Sequence, residues 1–212
     1  MAIIDAECNI TSVPSMAANA SKRTLLARQY LQGAAAFAKL SATLQSQTSS
    51  PLDVAYVAGA IFLSVAALEA AINAILIDDP DWKNTDKLCL LDKCDHVLAR
   101  HSKIQNLDRG DQACKRVVAL IKLRNELVHY KPEWDDKLDA HKQVQRKFQA
   151  VIPPRLLPKD FPKDYMTCDF AAKAIEWCSD FAKDLFSKLD IAEEPTMWDI
   201  TQVEGSRDAT CG

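Results

Sequence analysis

Glycine is scarce in this chain, with five among 212 residues. Alongside abundant Ala, Leu and Lys, that scarcity favours helix over sheet. An excess of positive charge is also missing. The formal charge of −3 excludes a generally basic nucleic-acid coat, so any such contact must be a local patch. The start, Met1-Ala2-Ile3-Ile4-Asp5, has no positive residue followed by an apolar run, so no signal peptide is expected. No apolar run free of polar interruption reaches the ~18–20 residues of a membrane span. The nearest runs from Val54 to Ile77, but its uncharged core ends at Leu68, and Glu69 and Asn73 interrupt the rest. A buried bundle helix and no membrane contact are expected. The seven cysteines are odd in number and lack framework spacing, as suits a reducing cytosol and a cytoplasmic location. A Gly-rich phosphate loop and a His-Glu-x-x-His pair are both absent, which leaves nucleotide hydrolysis and zinc peptidase readings without a basis.

The length suits one domain, and 48% hydrophobic content is ample for its core. Helical spacing of apolar residues runs from about Ser21 to Ser46, through Leu26, Tyr30, Ala34, Phe37 and Leu44. A second helix, about Leu52 to Ile77, is apolar nearly all round and should lie at the bundle centre. A third, about Thr85 to Arg100, carries Leu88, Leu91, Val97 and Leu98. A fourth runs from about Asp108 to Tyr130, where Pro132 ends it. A short helix near Asp139 to Ala150 precedes an extended loop containing Pro153, Pro154, Pro158 and Pro162. A last amphipathic helix, Cys168 to Leu189, should bury Ala171, Ala174, Ile175, Cys178, Phe181, Leu185 and Phe186. The domain is expected over 21–190, with a flexible lead-in over 1–20 and a disordered acidic tail over 191–212.

The densest chemistry closes the fourth helix: Leu123-Arg124-Asn125-Glu126-Leu127-Val128-His129. On a helical wheel Val117, Leu120, Ile121, Leu127 and Val128 form an apolar stripe, and Arg124 points from its middle. A guanidinium there needs a partner or a functional cleft. Glu69, in the most apolar helix, is the simplest partner: a buried Glu69–Arg124 pair fixing helix register, with Asn73 on the same face as Glu69. Asn125 and His129, four apart, share a neighbouring face.

This Arg-x4-His arrangement, with a polar residue after the arginine, resembles the signature of HEPN domains. These are helical, metal-independent ribonucleases and their inactive relatives. The order of long helices is similar as well, and so is Ala67-Leu68-Glu69-Ala70-Ala71-Ile72-Asn73 on the central helix. The resemblance implies an all-α, HEPN-like bundle of about five main helices with no cofactor. It further implies a homodimer in which two motifs meet in one cleft to cut RNA, since one histidine cannot be acid and base at once. Toxin–antitoxin or phage-defence activity, with an antitoxin or nucleotidyltransferase partner, would follow from the family alone. In that reading Arg124 holds the scissile phosphate, His129 transfers protons, and Asn125 orients the imidazole or the phosphate. The other reading is a non-catalytic RNA-binding or interaction module. There Arg124 and Glu69 only hold the bundle together, and His129 is a cation at a helix C-terminus. One HEPN group carries His-x-Tyr with a modifiable tyrosine. Here Tyr130 follows His129 directly and Lys131 stands at the tyrosine position, so that regulation is not carried over.

Among the remaining polar residues, Cys89, Cys94, His96 and His101 are zinc-ligand types. On one helix Cys89 and His96 share a face while Cys94 and His101 share another, so no single tetrahedral site forms and no metal is expected. From His141 to just past Lys163, Lys142, Arg146, Lys147, Arg155, Lys159 and Lys163 outnumber Asp160 and Asp164. With Lys131, they are the best candidates for contacts to an RNA backbone. Trp134 could stack a base or cap the core beneath the loop.

Overall fold

The computed structural model describes residues 25–47, 51–77, 79–129, 137–159 and 162–191, and among them the chain is all-helical, without strands. Seven helices follow in order: α1 (Leu25–Gln47), α2 (Pro51–Leu76), α3 (Trp82–Thr85), α4 (Leu90–His101), α5 (Gln112–Val128), α6 (Lys137–Gln149) and α7 (Cys168–Lys188). The lead-in expected over 1–20 lies outside the described residues, as does the tail except Ile191, which is buried.

Helix α2 is central because it has almost no polar face to leave in water. It packs against α1, α4, α5 and α7, burying Val57, Ile61, Val65, Leu68, Ile72 and Leu76. Among the described residues it is the one helix long and apolar enough to cross a membrane, by length and composition alone. In the bundle its neighbours cover more than half of that stretch. Gly59 lets α1 come close, since a Cβ there would stand 2.5 Å from the Phe37 ring. On α1 itself the buried row is Ala27, Leu31 and Ala34, so Leu26, expected inside, is exposed.

The third expected helix is in fact two. Thr85 donates its hydroxyl to the Trp82 carbonyl at 3.0 Å, closing the single turn of α3. Cys89 is then extended, and α4 begins only at Leu90. Leu88 falls in the turn between them and is exposed, not in the core. Helix α5 also starts later than Asp108. Asp108 accepts from the Gly110 N–H at 2.7 Å in a turn, and Asp111 caps the helix by accepting from Ala113 at 3.2 Å.

On α7 all seven expected core residues are buried. Thr167 caps its start, and Asp190 closes its end with a φ of 52°, where the Ile191 N–H reaches back to the Phe186 carbonyl at 3.1 Å. The proline-rich connection is less extended than expected. It holds two 3-10 turns, Pro154–Leu156 and Lys163–Tyr165. The second delivers Tyr165 into a ring cluster with Phe148 and Phe170, each centroid 5.2 Å away. Phe148 and Val144 pin α6 to the core.

Candidate functional site at the end of helix α5

Helix α5 turns Val117, Leu120 and Leu123 fully inward, while Ile121 and Leu127 are half-buried. Val128 was expected in this stripe but is 57% exposed. The core face centres on Leu120, Leu123 and Leu127, and Val128 lies about 100° around from Leu127. Arg124 leaves α5 at the edge of that face, toward α2. Its Nη2 donates to Glu69 Oε1 at 2.9 Å, joining the two helices as the wheel argument required.

The pair is not buried, however: the side chains are 26% and 39% exposed. A half-exposed pair contributes about 0.2–1 kcal/mol, against the ~3–5 kcal/mol that breaking a buried one costs. Arg124 Nε is shielded and has no partner among the described residues. A guanidinium has five N–H donors, so the Glu69 contact leaves others for an anion at the surface.

His129 is the C-cap of α5, held by its backbone N–H to the Asn125 carbonyl at 3.0 Å. Its side chain and that of Asn125 are both exposed, one turn apart. Arg124 and His129 leave the helix about 140° apart on the wheel, so one chain does not aim both at one point. Lys122 and Glu126 form an i,i+4 ion pair on the side of His129 away from Arg124, 29% and 22% exposed.

Asn73 is bonded on another side of α2. Its side-chain oxygen accepts from Lys93 Nζ at 2.9 Å, on the α4 side of α2. Lys142, Arg146 and Lys147 are exposed on α6, and Lys159 and Lys163 on the loop beyond it. Lys131 and Trp134 lie outside the described residues.

The zinc-type residues are separately occupied. Cys89 donates to Asp92 at 2.9 Å, and Cys94 is buried, with its thiol pushed far up by that burial. His96 is bound to Asp79. Among the described residues no three His, Cys, Asp or Glu side chains are grouped to hold a metal ion.

The Asp79 cluster is the polar centre that sequence reasoning missed, because Asp78-Asp79-Pro80-Asp81 reads as a helix stop. The Asp79 side chain is 1% exposed. It accepts from the Asp81 N–H at 2.8 Å and lies 2.9 Å from His96 Nε2 and 3.2 Å from Arg100 Nη1. A usable signal existed: His96 and Arg100, four apart on α4, form a basic face for a nearby acid.

Burial alone would raise the Asp79 pKa, but the Asp81 N–H, His96 and Arg100 together hold the carboxyl below its usual 3.8. His101 next to the cluster is depressed from 6.5 by burial and by Arg100. Both groups bind protons more tightly when unfolded, so each contributes stability that is lost as pH falls. The His101 part fades on acidification below 6.5, and the Asp79 part below 3.8. Asp79→Asn is expected to cost ~1–3 kcal/mol at neutral pH. It should also flatten the loss below pH 4, as thermal melts across pH would record. A mutant curve parallel to wild type would contradict this.

Comparison with protein-family models, curated proteins and solved structures finds no match to this chain.

Proposed function

We propose that the chain is a metal-independent endoribonuclease of HEPN type, acting as a homodimer through Arg124, Asn125 and His129. The observation carrying this reading is an exposed amide and imidazole one turn apart at the end of α5, beside an arginine that Glu69 fixes at the bundle surface. Attack by an RNA 2′-hydroxyl on the adjacent phosphate needs a proton removed, a proton supplied and the phosphate charge stabilised. His129 and Arg124 are of the right types. Their divergence on α5 suits a composite site, in which Arg124 of one copy meets His129 of another. Ile121, Asn125 and Val128, spaced four and three apart along the outward side of α5, offer a narrow stripe for that second copy.

The test is complementation. Arg124→Ala and His129→Ala proteins should each be inactive, and the exchanged mixture should regain part of the wild-type activity. Dimers that exchange without regaining activity, or a strictly monomeric wild type, would refute the composite site. A second reading has its own support. The Glu69 contact alone accounts for Arg124 as a fastening between α2 and α5, which fits a non-catalytic RNA-binding or interaction module.

A further inference from the structure

The reading above leaves one proton transfer without a group in the same chain. An imidazole cannot take the 2′-hydroxyl proton and give one to the leaving oxygen in the same step. The face of α5 that bears His129 also bears Asn125, Glu126 and Lys122. Glu126 lies one turn before His129 and about 60° around, close enough for side chains three apart to meet. Lys122 lies one turn before Glu126, with its Nζ 2.5 Å from Glu126 Oε1. Both side chains are partly covered, at 29% and 22% exposed. Arg124, by contrast, is turned toward α2 and Glu69.

We propose that Glu126 is the general base of the His129 site, with Lys122 as its positioning residue, so that each chain carries its own acid–base pair. The inference rests on the nuclease reading and names the second proton-transfer group. In the step, the Glu126 carboxylate removes the 2′-hydroxyl proton as that oxygen bonds to phosphorus. The bond from phosphorus to the 5′-oxygen breaks, and protonated His129 gives its proton to that oxygen. The products are a 2′,3′-cyclic phosphate and a free 5′-hydroxyl, with no electron transferred to or from the protein. Glu126 ends protonated and His129 neutral, and exchange with water resets both. The second copy is then needed for its Arg124, not for a second imidazole.

The test uses the full chain on single-stranded RNA, following kcat and KM across pH. Wild type should give a bell-shaped kcat profile. Glu126→Gln should lose ~10²–10⁴-fold in kcat with little change in KM, and should lose the acid-side limb. His129→Gln should lose the alkaline limb instead. Glu126→Asp, which keeps the carboxylate one methylene shorter, should fall between wild type and Glu126→Gln and keep both limbs. Lys122→Met should lower kcat with KM unchanged, and Lys122→Arg should restore it.

If Glu126 and Lys122 form only a helix ion pair, Glu126→Gln retains wild-type kcat and both limbs, and the proposal is overturned while the nuclease reading stands. If Glu126→Gln melts well below wild type, Glu126→Asp decides: an intermediate kcat with both limbs kept would support the carboxylate role, and either wild-type kcat or a kcat as low as that of Glu126→Gln would overturn it. Wild type that cleaves no RNA overturns both.

Discussion

His129→Ala is expected to lower RNA cleavage by ~10²–10⁴-fold, the usual worth of a positioned proton-transfer group, with the fold intact. The asymmetry between chemistry and stability follows from where His129 sits. It caps α5 through its backbone N–H to Asn125, a bond alanine keeps, and its side chain is exposed. Exposed substitutions away from a core or network usually stay within about 0.5 kcal/mol. Cleavage rates and a thermal melt on the same preparation check both halves. Equal activity of folded wild type and His129→Ala on a broad RNA panel would end the nuclease reading and leave the binding module. Arg124→Ala is less clean, because it also strands Glu69.

Phe148→Ala is expected to cost ~3–5 kcal/mol, the range for removing a buried phenyl ring and leaving its cavity. Phe148 is fully buried, with ring centroids of Tyr165 at 5.2 Å, Phe170 at 5.3 Å and Trp177 at 6.3 Å. It is also the main anchor of α6, whose other buried residue among those described is Val144. Against a total of roughly 5–15 kcal/mol for a typical domain, this is a large fraction. Denaturant unfolding should move its midpoint accordingly. A shift under about 1 kcal/mol would mean that α6 contributes little to the packed core.

The sequence made the bundle legible where apolar spacing was strong. Helix α2 is uniformly apolar and is central; α7 has one sharp face, and all seven of its named residues are buried. Boundaries were misread where side chains compete with the backbone. Thr85 closes α3 on Trp82, and Asp108 and Asp111 shape the turn and cap before α5. The Glu69–Arg124 contact could be read because two opposite charges on apolar faces need each other. Its exposure could not, because a wheel gives direction and not depth of cover. Asn73 shares a face with Glu69 in the sequence, but Lys93, twenty residues away, bonds it from another helix. Asp79 was hidden for the same reason: its partners lie on α4, and no local pattern joins them.

The most direct measurement of the central claim is end-group analysis of RNA cut by folded wild-type chain in excess chelator. Alongside it runs the same RNA carrying a single 2′-deoxy substitution at the cut position. The account expects a 2′,3′-cyclic phosphate or its opened product, and no cut at the deoxy position. Cleavage that survives the deoxy substitution, or that stops on chelation, would contradict it.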